Sequence, residues 1–123
     1  MKLKKTIVYL VALIGTIACS QQPKGPQVME SDDLANNLQR RLIEAQPGEV
    51  ILLPEGVFEF QRSISLNDTP DITIKGAGKG KTIFSFINQV EGAEGMLIKN
   101  VKGITLEGFT IADSKGDAIK VQG

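Results

Sequence analysis

The order of apolar and polar residues divides the chain into three unlike parts. Residues 7–14 are continuously apolar, residues 31–46 repeat apolar side chains every fourth position, and residues 50–121 alternate them every second position. These periods predict a short apolar run, one amphipathic helix and a series of strands. No helical pattern recurs after residue 46, so the helical crossovers of a βαβ fold are not predicted.

The helical segment has one apolar stripe, formed by Leu34, Leu38 and Leu42. Ser31 is the predicted N-cap. Acidic residues follow it in the predicted first turn, where the helix dipole favours them, and Pro47 ends the pattern. We interpret the stripe as a packing surface rather than as a cofactor or membrane surface.

Short apolar runs, separated by glycine, proline, asparagine and aspartate, predict nine strands. The runs cover residues 50–53, 57–60, 64–66, 72–74, 82–86, 96–98, 104–106, 109–111 and 118–121. The five phenylalanines fall on these runs and are predicted to lie in the core.

A repeated sequence predicts how the strands are arranged. Residues 71–76 and 103–108 share the order apolar, threonine, apolar, charge, glycine, which places the apolar pair on one face and the charge on the other. The second copy is followed by a bend, a strand, a polar turn and another strand, as one coil of a three-sided solenoid requires. We predict about three coils. Their interior is predicted to hold Ile72, Ile74, Ile104, Leu106, Ile111, Ile119 and Val121.

Two segments resemble a known family. Residues 38–58, with Pro47-Gly48 and Leu53-Pro54-Glu55, resemble the opening of right-handed parallel β-helix proteins of the pectin-lyase-like superfamily, and residues 104–119 resemble their coil repeat. The resemblance implies an all-β, right-handed parallel β-helix over 49–123, capped by an N-terminal α-helix within 31–48. It specifies no activity, since lyases, epimerases, hydrolases, adhesins and maturation factors share this fold.

The resemblance also bears on length. Family members carry more coils than this sequence supplies, and the sequence stops directly after a predicted strand, which leaves a sheet edge prone to aggregation. We therefore interpret the chain as truncated at its C-terminus, the front portion of a longer protein. The alternative is a short complete protein that is stabilised by self-association.

The first residues have the pattern of an export signal. Lys2, Lys4 and Lys5 precede the apolar run, which is shorter than the roughly 20 residues that span a bilayer. The run ends at Ala18-Cys19, which resembles the lipobox of bacterial lipoproteins. The alternative is an ordinary signal peptide that leaves a free thiol.

These observations predict a location and an anchor. We expect a signal peptide over 1–18, a lipid on Cys19 and a polar, flexible tether over 19–30. The protein would then be attached to a membrane in the bacterial cell envelope, in the outer membrane or the periplasm.

Composition excludes several kinds of chemistry within this sequence. It has no histidine, so histidine-based acid–base catalysis, metal binding and Ser-His-Asp catalysis are excluded. Beyond the signal peptide the chain is weakly acidic, which argues against nucleic acid as a partner. The glycine-rich residues 76–82 do not predict a nucleotide site, because position 75 is Lys75 where a phosphate-binding loop needs glycine, and a strand follows instead of a helix.

The densest group of charged residues consists of Asp113, Lys115, Asp117 and Lys120. In β-helix lyases of the family that the sequence resembles, carboxylates bind Ca²⁺ and a lysine or arginine removes the proton beside a uronate carboxyl group. Asp113 and Asp117 are accordingly the candidate metal ligands, with Ca²⁺ expected only in a complete protein. The interpretation that we favour is a polar turn whose aspartates bond nearby backbone amides. No catalytic residue or cofactor is assigned.

Two functional hypotheses remain. The first is an envelope protein that binds or processes an anionic polysaccharide, as a lyase or epimerase whose catalytic coils lie beyond residue 123. The second is a non-catalytic β-helix scaffold, or a module resembling the factors that assist metalloenzyme maturation in the periplasm. The expected partners are a membrane, through the lipid anchor, and a polysaccharide.

Metabolic labelling with a palmitate analogue tests the anchor. We expect label on the wild-type protein and none on Cys19→Ser, because the lipid is attached through the thiol of this only cysteine. Ser20→Ala, one residue away, should be labelled like the wild type. Label on Cys19→Ser, or none on the wild type, would contradict lipidation at this position.

Overall fold

A computed structural model describes residues 25–123. The predicted signal peptide, Cys19 and the first part of the predicted tether lie outside the described residues. Within residues 25–123, no helix is both long and apolar enough to cross a membrane.

The described residues form one helix, α1 (Leu34–Glu44), and nine strands. The strands are β1 (Val50–Leu52), β2 (Gly56–Glu59), β3 (Arg62–Asn67), β4 (Thr73–Lys75), β5 (Thr82–Ser85), β6 (Glu91–Lys99), β7 (Thr105–Glu107), β8 (Thr110–Ala112) and β9 (Ile119–Gln122). Each predicted apolar run forms one of these strands. The largest difference is at β6, which begins at Glu91 rather than at 96.

Each strand pairs with the strand three places later along the chain, and every pair is parallel. Sheet A has the order β1-β4-β7, sheet B the order β2-β5-β8 and sheet C the order β3-β6-β9. The chain therefore passes through the three sheets in turn and returns to the first, so the fold is a parallel β-helix of three coils with an N-terminal helix. This confirms the all-β solenoid that the repeat predicts.

Inward side chains stack in columns from coil to coil, and four such columns run through the interior. In coil order they are Ile51, Ile74, Leu106; Phe58, Phe84, Ile111; Ile64, Met96, Ile119; and Leu66, Ile98, Val121. All four members from the second coil are 0 % exposed. Neighbouring parallel strands lie about 4.8 Å apart, so each inward side chain contacts the ones above and below it.

The helix closes the first-coil end of these columns. Leu34, Leu38 and Leu42 are buried and belong to the same core cluster as most inward residues of the first two coils, which confirms the predicted stripe. The predicted cap is wrong. The N-cap position is Asp33, in a left-handed conformation without a side-chain cap, and the Leu34 amide instead donates to the carbonyl oxygen of Ser31, 3.3 Å away.

The third coil is less enclosed than predicted. Ile119 and Val121 stand in line with the buried Met96 and Ile98, yet they are 42 % and 67 % exposed. Their predicted direction is therefore right and their predicted burial is wrong. The physical reason is that, among the described residues, no further coil packs against them.

Stacked residues with positive φ turn the chain from sheet C back to sheet A. Asp68 and Asn100 follow β3 and β6 in a left-handed conformation, and the Asp68 amide donates to the carbonyl oxygen of Lys99 in the next coil. Aspartate and asparagine tolerate this conformation better than most residues, which explains why they punctuate the strand runs. Position 76 requires glycine for a steric reason, because a Cβ there would overlap the Gly108 carbonyl group of the next coil.

Two truncations in one column test the stacking. Ile98→Ala should lower the free energy of unfolding by about 2–5 kcal/mol, because coils on both sides enclose the resulting cavity. Val121→Ala, at the exposed end of the same column, should change it by less than about 0.5 kcal/mol. Urea unfolding followed by circular dichroism measures both. Equal losses would contradict the columns.

Candidate functional site

The predicted charged group lies at the turn between β8 and β9. Asp113 follows β8 in a left-handed conformation and is exposed, and the carbonyl oxygen of Asp117 accepts a hydrogen bond from the Gly95 amide at 3.0 Å. The Lys115 amide donates to the side chain of Gln89 at 3.3 Å. Backbone groups, rather than the two aspartate carboxylates, make these contacts. The turn is polar, as predicted, but the predicted bonds from its aspartate carboxylates to backbone amides are not formed among the described residues.

Within residues 25–123, no three His, Cys, Asp or Glu side chains lie close enough together to hold a metal ion. Asp113 and Asp117 share one turn, but the described residues supply no third carboxylate beside them. Ca²⁺ takes six to eight oxygen ligands, so most of its ligands would have to be backbone or water oxygens.

Gln89 is the buried polar centre of this corner, and it was not singled out from the sequence. Its side chain is 3 % exposed, and its amide nitrogen donates to the carbonyl oxygens of Glu94 at 2.9 Å and Glu91 at 3.2 Å, and to the Ser63 hydroxyl at 3.2 Å. Together with the bond from Lys115, these contacts tie three successive coils together. Because a buried amide group is costly unless it is bonded, Gln89 fixes the shape of the turn.

Lys120, which was predicted as part of the charged group, instead forms an ion pair with a residue on the neighbouring strand. Its Nζ lies 3.4 Å from Oε1 of Glu94 on β6. The pKa of the Glu94 carboxyl group lies below its ordinary value, mainly because the backbone amide of Glu94 donates a hydrogen bond to it. Lys120 and the Ala93 amide lower this pKa further. The carboxylate therefore stays charged into more acidic solution.

The outer side of sheet C carries two columns of outward side chains, which we call the sheet C face. The columns are Ser65, Leu97, Lys120 and Asn67, Lys99, Gln122. Asn67, Lys99 and Gln122 are all exposed, and Lys99 forms no ion pair with any described residue. The face therefore offers two amides and a cation in a row, one on each coil.

The other outer faces differ from the sheet C face. On sheet A, Lys75 and Glu107 are in register, with Nζ and Oε1 3.9 Å apart, so the predicted outward charges meet each other. On sheet B the outward columns are Val57, Ile83, Thr110 and Glu59, Ser85, Ala112, and their one charged residue is the acidic Glu59. Lysine and amide groups therefore share a column only on sheet C.

The glycine-rich segment forms a turn and the start of a strand, as predicted. Thr82 begins β5 and is 0 % exposed. Its hydroxyl group donates to the carbonyl oxygen of Pro54 and accepts from the amide of Ala77, both at 2.9 Å. The hydroxyl group that a phosphate-binding loop would offer to a metal ion is thus buried and already bonded.

The lowered pKa of Glu94 leads to a test by side-chain carboxyl NMR titration. Lys120→Gln should raise the pKa, but it should stay below the ordinary value because the backbone bonds remain. Since a lowered folded-state pKa stabilises the fold above the ordinary pKa, that contribution is lost as the pH falls through the folded value. Lys99→Gln is the matched control and should leave the Glu94 pKa unchanged; an equal shift in both variants would contradict the pairing.

No family model, curated protein or solved structure matches the chain. The β-helix architecture accordingly rests on the pairing and register of its own strands.

Proposed function

We propose that the protein is a lipoprotein of the bacterial cell envelope, anchored at Cys19, whose β-helix binds an anionic polysaccharide on the sheet C face. The observation that carries the proposal is the exposed column of Asn67, Lys99 and Gln122. The resemblance of residues 38–58 and 104–119 to pectin-lyase-like proteins adds support for a carbohydrate ligand.

The geometry of the column suits an extended chain of sugar acids. Successive side chains along it are separated by the strand spacing, about 4.8 Å, which is close to the length of one sugar unit in an extended polysaccharide. Amide groups donate to and accept from sugar hydroxyls, while the Lys99 ammonium group attracts a uronate carboxylate. A ligand lying across the strands would therefore meet one polar side chain on each coil.

The proposal concerns binding. The second column places Lys120 beside the carboxylate of Glu94, which balances its charge, so Lys99 provides the main attraction on the face.

A second candidate is the non-catalytic scaffold or maturation-type module. The observation that favours it is the exposure of Ile119 and Val121, which present apolar side chains of the kind that protein contacts cover. The binding experiment separates the two functions, since a scaffold of this kind would not need the sheet C face to bind sugar.

Titration of the lipidated protein in detergent micelles with polygalacturonate and alginate tests the proposal. We expect saturable binding that weakens as salt rises, and no binding of neutral dextran, because the attraction is between charges. Lys99→Gln should weaken binding about fivefold, which corresponds to about 1 kcal/mol for an exposed ionic contact.

Lys79→Gln is the matched control, since Lys79 is an exposed lysine between β4 and β5, away from sheet C. It should bind like the wild type. Failure of the wild type to bind either polyuronate, or equal weakening by both substitutions, would contradict the proposed surface.

A further inference from the structure

A pocket of about 270 Å³ lies between α1 and β3, at the first-coil end of the sheet C face. We call it the α1–β3 pocket, and its lining residues are Gln39, Leu42, Ile43, Ser65 and Asn67. Ser65 and Asn67 are also the first-coil members of the two outward columns of the sheet C face. The pocket is therefore continuous with the face that we propose to bind an anionic polysaccharide.

The helix ends the sheet C face on this side. The Gln39 side chain accepts from the Ser65 amide at 2.9 Å and donates to the Ser65 carbonyl oxygen at 3.0 Å, so α1 takes the place of a further strand. A ligand that follows the column from Gln122 through Lys99 to Asn67 thus meets α1 instead of another coil. This arrangement favours a ligand whose end lies in the pocket.

Two exposed residues of the lining are available to such a ligand. Ile43 is 74 % exposed, and the side-chain amide of Asn67 forms no hydrogen bond with any described residue. Gln39, by contrast, is already bonded to Ser65. The pocket thus offers one apolar side chain and one free amide group that both donates and accepts. The acetamido group of a sugar matches this pair, since it combines a methyl group with an amide.

The lining favours an uncharged sugar. Among the described residues, no charged side chain lines the pocket. Arg40, on the same helix, lines a separate cleft toward β2. Glu44 and Asp68, which directly follow Ile43 and Asn67 along the chain, are exposed acids. A carboxylate in the pocket would therefore have no cation in the lining to pair with.

We propose that the α1–β3 pocket holds an uncharged, N-acetylated sugar at the end of the polysaccharide, followed by a uronate opposite Lys99. The inference rests on the proposed function and narrows its ligand. The pocket is smaller than the roughly 300–1,000 Å³ of sites for drug-sized ligands, which suits a single sugar unit. With one sugar unit for each strand spacing of about 4.8 Å, the units lie at Asn67, Lys99 and Gln122 in turn. Only the second of these side chains is charged, so a uronate at every second unit matches the column.

Two trisaccharides built from the same units test the proposal. One has N-acetylglucosamine at both ends around one glucuronate, and the other has glucuronate at both ends around one N-acetylglucosamine. The first should bind the full-length protein in detergent micelles at least about fivefold more tightly. Attraction between charges alone would give the reverse order, because the second trisaccharide carries two negative charges and the first carries one. Shifts of the Ser65 and Lys99 backbone amide resonances measure both affinities.

Variants locate the terminal sugar. Ile43→Ser and Asn67→Ala should each weaken binding of the first trisaccharide about threefold or more, because each removes one contact in the pocket. Ile87→Ser is the matched control, since Ile87 is 62 % exposed and lies between β5 and β6, outside the pocket. It should bind like the wild type. Circular dichroism should show that all three variants are folded, because the substituted side chains are exposed.

The outcomes separate this inference from the proposed function. Equal affinity for the two trisaccharides, tighter binding of the second, or equal effects of Ile43→Ser and Ile87→Ser would overturn the pocket. If polygalacturonate still binds through Lys99 in that case, the proposed function stands without the pocket. If the wild type binds neither trisaccharide and neither polyuronate, the proposed function fails and this inference fails with it.

Discussion

Stacking of inward side chains between successive coils is the interaction on which the rest of this structure depends. A coil has no interior of its own, because three short strands cannot bury an apolar face without a neighbour. The second coil shows the result, since Ile74, Phe84, Met96 and Ile98 are all fully buried between the first and third coils. Turn residues obey the same constraint, and Asp68 bonds to the next coil through its backbone.

This constraint makes the ends of the solenoid the places where polar and apolar groups need other partners. At the first-coil end, the leucine stripe of α1 covers the columns, and Gln39 satisfies the edge of sheet C. One helix thus both buries the apolar end of the columns and bonds the backbone at the edge of sheet C. Among residues 25–123, neither a strand nor a side-chain amide group pairs with the outer edge of β2 at this end.

The strands could be predicted from the sequence because their pattern is local. The order apolar, threonine, apolar, charge, glycine determines which side chains face inward whatever the register, so Ile72 and Ile74 were correctly placed in the core. Gln39 and Gln89 could not be found in this way, since each bonds residues 26 positions away. The predicted side-chain cap at Ser31 is wrong for a different reason, because a local backbone bond from Leu34 to Ser31 forms in its place.

Outward positions are harder to predict than inward ones, because their neighbours depend on the length of each turn. Met96 stands opposite Ile64 on one side and Ile119 on the other, although the two intervals along the chain differ in length. Lys99 is therefore brought beside Asn67 and Gln122 only once these turns have formed. The outward side chains are also the ones that coil stacking leaves unconstrained, so they are free to differ from sheet to sheet. For this reason the fold can be predicted from the repeat, while the composition of an outer surface such as the sheet C face becomes visible only in the register of the strands.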